Sequence, residues 1–170
     1  MTMEINKEMN KEMNKEIAEE IIVFTDGSHI KPQNLCGYGV HFPNGEFEDI
    51  SKPFIKEPRT NQRAELYAIY KAIKIISNYN KNVNIKIYTD SEYSIKSLTI
   101  WIKNWKKNNW ISSTGKPVMN QDIIHKIDKL MGEHIGKIKF QHVRAHTNKT
   151  DYESIHNDIT DKLAKTGAKS

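Results

Sequence analysis

Cysteine is almost missing from this chain. Cys36 is the only one, so no intrachain disulfide framework exists, and the composition fits a reducing compartment. Long apolar runs are missing as well. No stretch approaches the roughly 20 residues that a membrane helix needs, and the N-terminus lacks the apolar segment of a signal peptide. These absences lead us to expect a soluble, cytoplasmic protein without a membrane partner, the nucleus or an organelle being the other intracellular options. Acidic side chains are the third shortage: 21 against 26 Lys and Arg, for a formal net charge of +5 and a pI of about 9.1. The deficit is concentrated, for Glu92 and Asp122 have no acidic residue between them. Such a balance suits a polyanionic partner. A length of 170 residues is one domain's worth of core.

What is present is organised around Ile21-Ile22-Val23-Phe24-Thr25-Asp26-Gly27-Ser28. Four consecutive apolar residues read as a strand buried on both faces, with Asp26 at its end and Gly27-Ser28 as turn chemistry. A carboxylate ending a buried strand is costly unless something pairs with it. The device recurs in Ile85-Lys86-Ile87-Tyr88-Thr89-Asp90-Ser91, a second strand running into Thr-Asp-Ser. Two such strands side by side would bring two carboxylates to one sheet edge.

Residues 1–20 differ in composition from the rest of the chain. Glu-Ile-Asn-Lys at 4–7 and Glu-Met-Asn-Lys at 8–11 and 12–15 form a four-residue repeat with one apolar position each. This reads as a low-complexity tail, disordered or helical, outside a domain of residues 21–170. Gly37 to Phe42 alternates with period two, Asn44-Gly45 is hairpin chemistry, and Glu46 to Ile50 reads as the returning strand. Leu66, Ile69, Ile73 and Ile76 have helical spacing, with Thr60 or Asn61 as the cap. Ala64, Ala68 and Ala72 lie beside that stripe and would let the helix lie close on a sheet. Residues 91–110 read as helical, a further helix starts near Asn120 or Asp122, Lys137 to Val143 is a strand, and Ile155, Ile159 and Leu163 mark a last helix. The later alternation of helix and strand implies parallel pairing.

The acid-free interval holds Lys96, Lys103, Lys106, Lys107 and Lys116 with all three tryptophans, Trp101, Trp105 and Trp110. Trp101 and Trp105 share a helical face, and Trp101 reads as core. The run from Asn104 to Trp110 is too polar to bury entirely. Exposed rings among lysines suit nucleic-acid contact, with a solvated basic face as the alternative. Asp26, Glu65 and Asp90 come from two strand ends and a helix start. Packed together they would repel and raise one another's pKa values, and divalent cations held by hard oxygen ligands reverse this. On spacing alone, three unrelated carboxylates remain an open reading, with Glu65 merely serving its helix dipole.

The motifs together resemble type 1 ribonuclease H from about Ile21 to the C-terminus. Phe24-Thr25-Asp26-Gly27-Ser28, Thr60 to Glu65, Tyr88-Thr89-Asp90-Ser91, Trp101 to Lys107, Ala145-His146-Thr147 and Asp161-Lys162-Leu163-Ala164 carry the resemblance in order and spacing. The resemblance implies an α/β fold of the ribonuclease H type, a five-stranded mixed sheet flanked by helices, with strands 1–3 antiparallel and strands 4 and 5 parallel. It implies endonucleolytic hydrolysis of the RNA strand of an RNA–DNA hybrid, leaving 3′-hydroxyl and 5′-phosphate ends. By motif match, Asp26, Glu65, Asp90 and Asp161 would be catalytic, metal-binding carboxylates for two Mg2+ ions, with Mn2+ as an alternative. His146 would assist proton transfer or product departure, since imidazole changes charge near neutral pH, whereas His142 reads as structural. Asp158 precedes Asp161 by one turn; the family pattern selects Asp161.

Substrate contacts are implied by the same resemblance. Asn61 and Gln62 would reach the minor groove, where 2′-hydroxyls distinguish RNA from DNA. Backbone groups near Gly27 and Ser28, with the Ser91 side chain, would face the RNA strand. Trp105, Lys106, Lys107 and Trp110 would form a basic protrusion on the DNA strand, and Arg59 lies near a phosphate contact with its register shifted by one. The loop between His146 and Asp161 is longer than in common bacterial members, and Glu92 stands where a neutral residue is common. The competing readings are a catalytically silent nucleic-acid-binding module on this fold and a ribonuclease domain derived from a reverse transcriptase. The enzyme reading has a monomer acting on an RNA–DNA hybrid.

Overall fold

The structure is a computed structural model describing residues 2–16 and 19–170, with side-chain environments given outside 10–18. Helix α1 (Thr2–Glu16) carries the repeat, and its side chains from Thr2 to Met9 are exposed. Five strands follow, the first three with no helix between them: β1 (Glu20–Ile30), β2 (Leu35–His41), β3 (Ile50–Pro53), β4 (Asn84–Thr89) and β5 (Ile138–His142). The helices are α2 (Asn61–Tyr79), α3 (Glu92–Lys96), α4 (Ile102–Lys107), α5 (Gln121–Glu133) and α6 (Tyr152–Lys169), with a π-helical turn at Ser97–Trp101 between α3 and α4. No described helix is long and apolar enough to cross a membrane.

The strands form one sheet in the order β3-β2-β1-β4-β5. β1–β2 and β2–β3 are antiparallel, and β1–β4 and β4–β5 are parallel, as expected. The termination of β1 differs from expectation. It runs on through Asp26-Gly27-Ser28, pairing Asp26 with Gly39 and Ser28 with Gly37, so Gly27-Ser28 is strand and not turn. Only the β4 side stops early, at Phe24 opposite Tyr88. Asp26 therefore sits just beyond a parallel ladder while still held by an antiparallel one. β3 also starts later than the Glu46–Ile50 reading. The Asp49 carboxylate accepts the Phe42 N–H at 2.9 Å, the backbone group a strand there would have paired, and the ladder begins at Val40–Ile50.

Alternation along β1 separates two layers. Ile21 and Val23 join a core with Leu66, Ile69, Ile73 and Ile76 of α2 and Ile124 and Ile127 of α5. Phe24 turns to the other face, stacking on Tyr88 at 4.4 Å and meeting His156 of α6. The two helices approach the sheet through small residues. A Cβ on Gly27 would lie 2.8 Å from the Ala64 Cβ, and one on Gly37 only 2.1 Å from the Ala168 nitrogen. The apolar spacing of α6 is misleading for this reason. Ile155 and Ile159 face outward, and the buried face is Ser154, Asn157, Thr160, Ala164, Gly167 and Ala168. Trp101 departs likewise: it is 38% exposed, because the π turn delays the helical phase by a residue and turns Ile102 inward instead.

Gly37→Ala is expected to lift α6 from the sheet and destabilise the fold by about 2–3 kcal/mol, as overpacking does. Gly132→Ala, with nothing within 4 Å of the added methyl, should be neutral or slightly stabilising. Thermal unfolding of the two variants tests the contrast; equal melting temperatures would remove the close-approach argument.

Candidate active site

Three elements bring the acids together. Asp26 lies on β1 where β4 has stopped pairing, and its Oδ1 accepts the Gly27 N–H at 2.9 Å. Asp90 directly succeeds β4, whose register beside β1 carries it to the same edge. Glu65 comes from the start of α2, which Thr60 caps by accepting the Arg63 N–H at 3.2 Å. The absent Cβ of Gly27 lets that turn of α2 press against the strand. Arg63, buried, clamps Asp122 through two bonds of 2.8 and 2.9 Å and so ties the start of α2 to α5.

One carboxylate oxygen from each of Asp26, Glu65 and Asp90 lies within 4.8 Å of the others. Burial and the neighbouring Asp90 carboxylate push Asp26 up to about 8, with the Glu65 contact and the Gly27 N–H acting the other way. Glu65 is pushed well up by burial and then by Asp26 and Asp90. Asp90 is raised, chiefly by burial, while Asn157 of α6 opposes the rise. Glu65 Oε2 is buried and has no hydrogen-bond partner among the described residues. Three hard oxygen donors, two of them enclosed and one orphaned, fit a divalent cation better than they fit one another.

Asp161 lines the same cleft but is not in the tight trio; its Oδ2 pairs with Lys165 at 2.9 Å. Asp158, one turn earlier, is not among the lining residues. The cleft, about 300 Å3, is also lined by Gly27, Ser28, Asn61 and His146. His146 is exposed, with a left-handed φ of 53°, and it acts on the Asp90 charge. His142 Nε2 lies 3.2 Å from the Asp90 carbonyl oxygen, a contact that braces the backbone there.

The remaining candidates lie apart. Gln62 is exposed beside Asn61, and Ser91 caps α3 by accepting the Ser94 N–H at 3.1 Å. Arg59 pairs with Glu57 at 2.7 Å, outside the cleft lining. Trp105 and Trp110 form a ring series with Trp101, and a separate groove of about 440 Å3 is lined by Trp101, Asn104, Trp105 and Asn108. Lys106 is tied to Asp128 at 2.7 Å, and Lys107 is exposed without an ion pair among the described residues. Sequence reasoning missed Asn157 and Lys165. Both stand four residues from Asp161, so the helical i,i+4 relation was the available signal.

The RNase H family model matches residues 18–169. Over 135 residues the chain is 45% identical to a probable ribonuclease H of Acanthamoeba polyphaga mimivirus, covering 78% of this chain and 58% of that one. It therefore spans little more than half of that relative's length. It is 37% identical to ribonuclease HI of Pasteurella multocida over 151 residues, 88% of this chain and 90% of that protein. A foamy viral protease-reverse transcriptase, solved in complex with RNA/DNA hybrid, superposes with a TM-score of 0.68 at 22% identity, over 87% of this chain and 20% of that one. With a family match across nearly the whole length and this identity to a bacterial ribonuclease HI, the chain belongs to the type 1 ribonuclease H family.

Proposed function

We propose that this protein is an endoribonuclease that hydrolyses the RNA strand of RNA–DNA hybrids with the help of two Mg2+ ions. The observation that carries the reading is the close trio Asp26, Glu65 and Asp90, the first two buried, with its orphaned Glu65 oxygen. Mn2+ would satisfy the same oxygen ligands. Asp26, Glu65, Asp90 and Asp161 would hold the ions. Bound divalent ions supply a water of lowered pKa and a charge clamp on the scissile phosphate.

The chain's own residues do the rest. The antiparallel partner and the Gly27 N–H hold the Asp26 carboxylate facing the cleft, and the His142 contact steadies the Asp90 backbone. Release of Lys165 would free Asp161 to complete the ligand set. His146 stands on an exposed loop at the cleft rim, where it can take a proton or draw off the product. Asn61 and Gln62 at the start of α2, with the β1 backbone at Gly27 and Ser28, would track the RNA strand. Ser91 spends its hydroxyl on the α3 cap, so its contact with RNA would pass through the backbone. Trp105, Trp110, Lys106 and Lys107 would hold the DNA strand, and Arg59 would act on a phosphate at the periphery.

The catalytic unit in this reading is residues 21–170, with α1 outside it. All four carboxylates come from one chain, which supports action as a monomer. The free Cys36 supports a reducing, cytoplasmic setting.

Asp90→Asn should lower hybrid cleavage by roughly a hundredfold or more, the equivalent of several kcal/mol of lost charge stabilisation. Cleavage of labelled hybrid beside double-stranded RNA and DNA controls reads this out; retained activity would remove the assigned metal site. A second expectation comes from linkage. Asp26 is raised in the folded state, so the folded protein binds more protons than the unfolded chain. Without metal, stability should fall as pH rises from about 4 towards about 8. Mg2+ should raise the melting temperature most at the upper end of that window, and Asp26→Asn should flatten the metal-free dependence. A melting temperature indifferent to pH would contradict it. Third, Trp105→Ala should raise KM by roughly tenfold with kcat kept, and Lys107→Gln should reduce the salt slope of binding by about 1. An unchanged KM in the first variant would remove the protrusion from hybrid binding.

A further inference from the structure

Outside the cleft, α2 and α5 run side by side in the same direction. Their starts are joined by Arg63–Asp122 and their ends by the Ser77 hydroxyl and His134 Nδ1, 3.1 Å apart. Each helix turns lysines outward at a spacing of one turn: Lys71 and Lys74 from α2, Lys126 and Lys129 from α5. Tyr70 lies between the rows. Lys74 sits over its ring at 5.6 Å and Lys126 at 6.0 Å, and a groove of about 250 Å3 is lined by Tyr70, Lys126, Lys129, Leu130 and Glu133. Lys56, on the loop before α2, extends the array towards the cleft end and covers Tyr67 at 5.1 Å.

Two observations separate this face from an ordinary solvated one. None of these five lysines forms an ion pair with a carboxylate among the described residues. Lys56 and Lys126 also approach so closely that the second ammonium holds the first below the usual lysine range. Like charges in contact are unfavourable unless an anion joins them. Two rows of cations with rings between them match a chain of phosphates flanked by sugars and bases. Lys106 of α4 pairs with Asp128 on the other flank of α5, so the protrusion and the lysine face lie on either side of one helix.

We propose that the outer face of α2 and α5 is a second nucleic-acid backbone site, which takes the part of a long duplex or its single-stranded flank that lies beyond the cleft. The proposal adds a surface to the function proposed above and rests on that reading only for the identity of the polyanion. A partner of this kind lets a chain with a single nuclease unit hold a long substrate through two separated contacts.

The test is binding in the absence of divalent metal, where nothing is cut, so its outcome is independent of whether the protein is a nuclease. Fluorescence anisotropy would follow a hybrid of about ten base pairs and one of about thirty, each across a salt series. The variant K71Q/K74Q/K126Q/K129Q is expected to bind the long hybrid roughly tenfold more weakly. Its salt slope should be smaller by about 0.9 for each phosphate that is no longer neutralised. Affinity for the short hybrid should stay unchanged, and the all-arginine variant at the same four positions should restore the slope. Equal slopes for parent and glutamine variant on the long hybrid would overturn the proposal. So would competition by polyglutamate as effective as that by an unlabelled DNA duplex, which would assign the face to an acidic protein.

Discussion

The constraint on which this structure depends is the mutual repulsion of three carboxylates that the backbone places within a few ångströms of one another. Asp26, Glu65 and Asp90 are each supplied by a different element, and each element is fixed by packing elsewhere. The α2 turn bearing Glu65 is pressed on β1 through Gly27 and Ala64, and its start is tied down by Arg63 and Asp122. The strands bearing Asp26 and before Asp90 are paired in register. None of the three can retreat without disturbing the core. Burial, and after it the repulsion from Asp90, push Asp26 up to about 8, so the cluster is relieved by protons or by a cation.

The same logic explains the small residues around the sheet. A carboxylate cluster stays tight only if its supports are rigid, and rigidity here comes from backbone approaching backbone. Gly27 receives α2 on one face, and Gly37 and Gly39 receive α6 on the other. α6 then presents Asn157 and Asp161 at the cleft, one turn apart, from a helix whose buried side has scarcely a large side chain. Large apolar residues at those positions would have increased buried area and moved both polar groups away from Asp90.

Much of the fold was legible because local patterns and tertiary demands agree. The β1 and β4 runs, the Leu66–Ile76 stripe and the alanine row read correctly, since a parallel pair between helices calls for such residues. Misreadings arise where a non-local contact overrides the local pattern. Gly27-Ser28 looks like a turn until β2 pairs with it. Glu46–Asp49 looks like a strand until the Asp49 side chain takes the backbone N–H that a strand would use. Trp101 reads as core only because spacing arguments assume a regular helix, and the π turn breaks that assumption. The acids of the site were legible in type and position, but their spatial relation was not. Spacing left three unrelated carboxylates open, and only the register of β1 on β4 brings Asp26 and Asp90 to one edge.

Charge distribution completes the argument. A protein of net charge +5 concentrates negative charge in its cleft, so its cations must lie elsewhere. They divide into two groups with different chemistry. Arg63, Lys106 and Lys165 are each committed to a carboxylate and serve to position α2, α4 and Asp161. Among the described residues, Lys107 and the lysines of α2 and α5 have no such commitment, and several of them lie over tyrosine rings. Paired cations hold the scaffold around the acids. In the proposed function, the others supply the outward field that would draw a polyanion towards a cleft which, without bound cations, would repel it.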